Sequence, residues 1–370
     1  MPHLQSRFAA ALAPNLDAGE VAGIPELTPA LARTLIERID GIPLFAHAYS
    51  LLGNFTYGTL RPRDLLVYAH NHELKGVCIH LLDGEERGLG KMDDAGLLEF
   101  GAEAKALGLD VHLEISSTEK ADVDEVVRIA LILGVTHIRA YSRYEGFLSE
   151  VLVRVDEDLA YLAELADTHD LQFYFEQHEE LKSGEIAAAL QKINHPRLHA
   201  LFDFGNMVNA CERPMDALAE LAPHIRQVHL KGIKIIPEGN GFGHRGVLQG
   251  GAEDDLPGPR MLFELLMLGD SEPQLIAFAL EQENHYRAPA FRLRDEDPNP
   301  FIPYRDMSTT DLPEGLSLAE MLVQEPQWAV NQLTHVRSVL AQLRELAECR
   351  LESAAMAAAG TGATTNWSQS

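Results

Sequence analysis

Short apolar runs of strand length recur eight times between residues 42 and 283, and stretches of helical periodicity separate them. The runs are IPLFAHAYS (42–50), KGVCIHLL (75–82), LDVHLEIS (109–116), VTHIRAYS (135–142), LQFYFEQH (171–178), LHALFDFGN (198–206), IRQVHLKG (225–232) and LIAFALEQE (275–283). Each is rich in β-branched, aromatic or leucine residues, as strands buried on both faces are. Between them, segments such as RPRDLLVYAHNHEL, AGLLEFGAEAKALGL, VDEVVRIALILG, EDLAYLAELADTHD and GPRMLFELLML repeat apolar residues at helical spacing. Asp156 and the Ser183–Gly184 pair are expected to start two of these helices.

Alternating strands and helices require a parallel sheet, because each crossover helix must cover a face. Eight such units close most economically into an α/β fold of the (β/α)8 TIM-barrel type, with a doubly wound open sheet as the alternative. No interior linker is visible, so residues 42–350 are expected to form one domain. Residues 1–41 supply an N-terminal segment and a helix, LTPALARTLIERID, expected to cap the barrel. Residues 287–324 form an acidic, Pro-rich extension suited to a lid or a dimer arm, so the chain is a candidate homo-oligomer. The following helix, around 316–350, carries Trp328, Leu333, Val336, Leu340 and Leu343 on one stripe and reads as the eighth barrel helix. Residues 351–370 have too little apolar bulk to order themselves.

Charge narrows the partners. Thirty Lys and Arg face 56 Asp and Glu, a net charge of −26. Such a chain repels polyanions and shows no basic stripe of the kind nucleic-acid binding needs, so a small molecule is the expected partner. No apolar run reaches the roughly 20 residues needed to span a membrane, and the N-terminus lacks a secretory apolar core. Cys78, Cys211 and Cys349 lack metal or redox spacing and read as reduced thiols. These features suit a cytoplasmic protein, in which Asn54 and Asn366 are chance sequons.

The chemistry lies at the ends of the last four runs. The fifth ends in Glu176 with His178, the sixth in Asp203 with Asn206, the seventh in His229 with Lys231, and the eighth in Glu281 with Glu283. In a barrel, strand C-termini open into one shared mouth. Four neighbouring ends then offer carboxylate, carboxylate, imidazole and carboxylate, a set suited to one divalent cation with open positions. The oxygen-rich donors favour Mn²⁺, with Mg²⁺, Co²⁺ or Zn²⁺ as alternatives.

FYFEQHEEL, LFDFGN and QVHLKG together resemble the xylose isomerase-like TIM-barrel superfamily of sugar isomerases and epimerases, over residues 42 to 285. The resemblance implies that Glu176, Asp203, His229 and Glu281 bind one metal ion; Glu283, with the same facing as Glu281, is the alternative eighth-strand ligand. It also implies proton transfer next to a carbonyl through a metal-stabilised enediolate, with Glu176 and Glu281 exchanging the proton. Lys231 would polarise a substrate oxygen or neutralise a carboxylate, and His178 would bind a hydroxyl, carry a proton or support the site. His80, Glu114, Arg139 and Arg143 lie near other strand ends as candidate substrate contacts.

One departure matters. Where the epimerase branch often has a His three residues after the sixth-strand Asp, this chain has Asn206, which also argues against the branch of three-zinc DNA-repair endonucleases. Gly241, Gly243 and Gly246 spell GxGxxG, but no strand-to-helix turn follows, so a flexible loop or lid carrying His244 and Arg245 to the substrate is expected. The reading is a metal-dependent isomerase or epimerase of a small keto-sugar or sugar acid. Alternatives are a decarboxylase of a 3-oxo sugar acid (the extension resembles those of 3-oxo-isoapionate decarboxylase-like proteins), a C-glycoside-cleaving lyase, and a metal-free binding barrel. A decarboxylase needs a cationic clamp, for which Arg143, Lys231 or Arg245 are the candidates.

Overall fold

The structure, a computed structural model, describes residues 2–284, 286–304 and 315–362. Its centre is a closed barrel of eight parallel strands: β1 (Leu44–His47), β2 (Gly76–His80), β3 (Asp110–Glu114), β4 (His137–Ala140), β5 (Gln172–Glu176), β6 (Leu198–Asp203), β7 (Ile225–Leu230) and β8 (Ala277–Leu280). All eight apolar runs supply a strand, and the strands follow chain order around the barrel. Closure pairs Leu44, Phe45 and Ala46 of β1 with Phe278, Ala279 and Leu280 of β8. Nearly every strand residue is buried, as expected for strands covered on both sides.

The chain divides into two compact units. The barrel unit comprises residues 43–256 and 275–333. A helical unit gathers residues up to 42, residues 257–274 and the chain from 334 onward. Within the helical unit, Phe8 of the helix Pro2–Leu12 meets Phe263 of the helix Gly258–Leu266 edge-on, with ring centroids 5.6 Å apart. Arg38, buried on the helix Pro29–Gly41, donates to the carbonyls of Leu268 and Asp270 at 2.7 and 3.1 Å. Sequence inspection expects one domain because this unit has no linker: it is assembled from three distant segments.

Other boundaries also shift. The helix containing EDLAYLAELADTHD begins at Leu148, so Asp156 lies inside it and does not start it. Leu148, Val151 and Val155 extend the buried stripe of Leu159, Leu162 and Ala166 by two turns, and that apolar continuity overrides the local start signal. Ser183 does open its helix, Ser183–Ile193. The last helix runs from Leu318 to Gly362, twelve residues into the stretch expected to lack order. Alanine-rich sequence favours helix without tertiary burial, which accounts for the extension; residues 363–370 lie outside the described residues. Leu333, Val336, Leu340 and Leu343 are buried as expected and Trp328 is half-buried. In the barrel unit, Gln332 of this helix donates to the carbonyl of Leu230 at 2.6 Å, just past the chemistry-bearing end of β7. The eighth-helix reading therefore covers only the part before residue 334.

The glycine motif is a β-hairpin rather than a flexible loop. Strands Gly232–Glu238 and Gly241–Val247 pair antiparallel, and Arg287–Ala288 of the extension adds a third strand. A Cβ on Gly246 would lie 1.6 Å from the carbonyl oxygen of Glu283, and one on Gly243 would lie 2.6 Å from that of Ala288. These glycines permit two backbones to touch. The extension is further fixed to the barrel unit by Arg292, buried with Glu185 at 2.9 Å and Glu296 at 2.8 Å, and by Phe301–Ile302 pairing with Gly146–Phe147. Residues 305–314 of the extension lie outside the described residues.

Gly246→Ala is expected to destabilise the protein by about 3 kcal/mol, at the upper end for overpacking, because the obstacle is backbone. A thermal melt checks this; an unchanged Tm would mean that the Glu283 backbone does not press on the hairpin at Gly246.

Candidate metal centre

Four strands deliver ligand-type side chains to one point. Glu176 is the last residue of β5, Asp203 the last of β6, His229 the penultimate residue of β7, and Glu281 directly follows β8. Asp203 and His229 are register partners, and the N–H of Glu281 continues the ladder to the Leu230 carbonyl at 2.9 Å. Ligand atoms of Glu176, Asp203 and His229 lie within 4.8 Å of one another. Glu281 joins them, its Oε1 3.5 Å from His229 Nδ1, while Glu176 Oε1 is 3.6 Å from the same nitrogen. Glu283 instead meets Lys231 at 2.9 Å.

Local hydrogen bonds orient these groups. Asp203 Oδ1 accepts the N–H groups of Gly205 and Asn206 at 2.8 and 2.9 Å, which leaves Oδ2 3.0 Å from Lys231 Nζ. Glu176 Oε2 lies 2.9 Å from Arg139, which also meets Glu114 at 3.0 Å. Glu114 in turn lies 3.1 Å from His229 Nε2 and 3.0 Å from His47 Nε2. His47, Glu114 and His229 thus form a second group of ligand-type atoms sharing one histidine. Asn206, in the place of the expected histidine, donates to the Gln177 carbonyl at 3.2 Å and lies 3.4 Å from Glu176.

The charge balance is uneven. Glu114, Glu176, Asp203, Glu281 and Glu283 are five buried carboxylates, and they face two obligate cations, Arg139 and Lys231. Burial pushes the Lys231 pKa down, but Asp203, Glu281 and Glu283 outweigh it and hold the ammonium well above its usual range. Burial likewise opposes the His229 imidazolium, and Glu281 and Glu114 overcome it. Burial raises the Glu176 carboxyl, and Arg139 with His229 brings it below its ordinary value. Among the described residues Glu176 Oε2, Asp203 Oδ2, Glu281 Oε2 and both His229 nitrogens are buried with no well-aligned hydrogen bond, although charged neighbours stand close. Three carboxylates and an imidazole converging where negative charge is in excess are a donor set that fits a divalent cation.

Glu176 and Glu281 of the cluster line a cavity of about 260 Å³, together with His80, Arg139, Arg143, His178, Asn206 and Lys231 among others. His178 stacks on Tyr141 with centroids 3.8 Å apart, its Nδ1 3.4 Å from Glu180. Arg143 also lies over the Tyr304 ring. Glu114, expected to touch substrate, does not line the cavity and is ion-paired with Arg139, which does line it. Two further expectations fail. His244 is fully buried, its Nδ1 held by Asn209 at 2.7 Å, and does not line the cavity. Arg245 points out of the site and pairs with Glu253. Alternation along the hairpin, unseen in a sequence taken for a loop, explains both. Sequence inspection missed His47, Tyr49, Asp83, Glu180 and Tyr286. His47 had a readable signal, as the last residue of β1, in HAYS.

Burial lifts the Asp83 carboxyl to about 7, against the pull of the His80 N–H that it accepts at 2.7 Å. Between pH 4 and 7 the native state therefore keeps a proton that the unfolded chain loses, so this group lowers stability as pH rises, levelling off above about 7. Asp83→Asn keeps an acceptor for His80 and removes the titration. Its stability relative to the wild type should grow by a few kcal/mol between pH 4.5 and 7.5, at about 1.4 kcal/mol per pKa unit; urea melts at the two pH values check this.

Comparison with known proteins agrees with the barrel. The chain is 46% identical over 314 residues to an uncharacterised protein, YihM, of Escherichia coli K12, covering 85% of this chain and 96% of that one. Among solved structures, the zinc-bound IolI protein superposes with a TM-score of 0.56 at 12% identity, over 82% of this chain and 99% of its own. D-psicose 3-epimerase in the presence of D-fructose gives 0.54 at 13% identity, over 81% and 99%. A D-allulose 3-epimerase from Methylomonas sp. gives 0.51 at 16% identity, over 80% and 96%. At these identities the structures speak for the fold alone. The family model described as xylose isomerase-like TIM barrel matches residues 69–271, and the chain belongs to that family.

Proposed function

We propose that this protein is a divalent-metal-dependent isomerase or epimerase of a small keto-sugar, with Glu176, Asp203, His229 and Glu281 as the metal ligands. The observation that carries the reading is the convergence of these four side chains on one point, with Glu176 and Glu281 lining a cavity of about 260 Å³. That volume suits a small sugar, and the solved relatives named for D-psicose and D-allulose act on such molecules. A bound cation would polarise a substrate carbonyl and stabilise the negative charge that develops when the neighbouring proton leaves. Glu176 and Glu281 flank His229 Nδ1 and are the two carboxylates placed to take and return that proton. Glu114 would accept the Nε2–H of His229, fixing the ring so that Nδ1 faces the ligand carboxylates. Lys231 neutralises Glu281 and Glu283 and holds them apart from bulk water.

The competing readings fit less well. Of the cations suggested as a carboxylate clamp, Lys231 is shared among three carboxylates and Arg245 is outside the cavity, which leaves Arg143. A metal-free binding barrel would have to bury five carboxylates beside two obligate cations, at a cost of several kcal/mol per unpaired ion.

Elemental analysis should find about one divalent ion per chain, lost in Asp203→Asn; no metal in either protein after reloading with Mn²⁺ or Co²⁺ would sink the reading. On a panel of keto-sugars, Glu176→Gln should lower kcat by roughly 10²–10⁴-fold, the span typical of a general base. Arg143→Glu should preserve turnover of neutral keto-sugars; loss confined to sugar acids would point to the decarboxylase instead.

A further inference from the structure

We infer that the substrate has two parts, and that its second, apolar part occupies a separate cavity beside the metal-centred one. This inference rests on the proposed function, which places the polyhydroxylated part over the metal ligands.

The second cavity, of about 310 Å³, adjoins the first across a shared partition of His80, Leu82 and Arg143. It is lined on its apolar side by Leu81 and Ile115, which directly follow β2 and β3, and by Gly90, whose N–H donates to the Leu81 carbonyl at 2.9 Å. Lys91 and Arg143 share its lining with Asp122 and Glu125, so neither sign of charge prevails. A sugar would leave its hydroxyls unpaired on that apolar side, whereas an apolar group of ring size would not.

The partition itself points to a bridging ligand. Leu82 lines both cavities and is 56% exposed, an uncovered leucine at the mouth of a site whose other walls are mostly polar. An apolar group lying across it would remove that surface from water. His80 is buried, and its Nδ1 accepts the N–H of Leu82 at 3.1 Å. The neutral ring then carries its proton on Nε2, and this nitrogen has no hydrogen-bond partner among the described residues. Burial keeps His80 neutral, which preserves that tautomer. The partition therefore offers one spare donor between a polar and an apolar cavity, suited to an oxygen that links the two parts of one molecule.

The test uses phenol as the apolar probe on the full chain loaded with zinc. Titration calorimetry should show saturable binding in the millimolar range, as expected for a fragment of seven heavy atoms. Leu82→Asp, at an exposed position, and Ser117→Trp, which fills the second cavity, should each weaken it at least fivefold. No saturable binding to the wild type, or wild-type affinity in either folded variant, overturns the inference. The same preparations are assayed for metal, so the two readings fail separately: absent metal overturns the enzyme reading, and unperturbed phenol binding overturns the two-part substrate.

Discussion

The mouth of this barrel is organised by an excess of buried negative charge. Glu114, Glu176, Asp203, Glu281 and Glu283 are buried together at its base, and Arg139 and Lys231 are the cations paired with them. Carboxylates so placed cost several kcal/mol each unless they are paired or bind an ion. Each cation is accordingly shared: Arg139 between Glu114 and Glu176, and Lys231 among Asp203, Glu281 and Glu283. The ion pairs stitch β3, β4 and β5 on one side and the ends of β6, β7 and β8 on the other, with His229 between them. Geometry and charge thus point the same way, toward a site completed by a cation.

The barrel and the positions of its ligand-type residues were legible in the sequence for one reason. Strands buried on both faces must be almost wholly apolar, so a polar residue at the end of such a run stands out. Glu176, Asp203, His229 and Glu281 all carry that signature. What lay outside a strand-end pattern was harder to read. Arg139 sits on β4 at a position that suits a substrate contact and does line the cavity, but only the distances show that it is also shared between Glu114 and Glu176. The hairpin looked like a loop because its glycines, required by close backbone approach, dilute the alternation that marks a strand. The helical unit was invisible because its three segments are separated by the two barrel stretches, residues 43–256 and 275–333.

The extension shows how a family barrel is given a particular cavity. Arg287–Ala288 turns the hairpin into a three-stranded sheet, and the preceding residue, Tyr286, lines the cavity with its hydroxyl donated to Glu179. Arg292 is clamped between Glu185 and Glu296. Removing one partner from a buried pair of this kind typically costs 3–5 kcal/mol, so the described part of the extension is a fixed wall of the site. Specificity in barrel enzymes resides in such additions beyond the strand ends, while the strand ends keep the chemistry.

The division of labour within each ligand carboxylate follows from the same economy of charge. Glu176 directs Oε2 to Arg139 and presents Oε1 near His229; Glu281 directs Oε2 to Lys231 and presents Oε1 near the same nitrogen. Asp203 commits Oδ1 to two backbone N–H groups. Glu176 and Glu281 thus each keep one oxygen clear of their cationic partner, whereas Asp203 Oδ2 also lies 3.0 Å from Lys231. A cation held as proposed would meet Glu176 and Glu281 each through the oxygen turned away from its cationic partner, beside the His229 imidazole. The cations that make the buried charge tolerable therefore also set which oxygen each of these two glutamates turns toward His229.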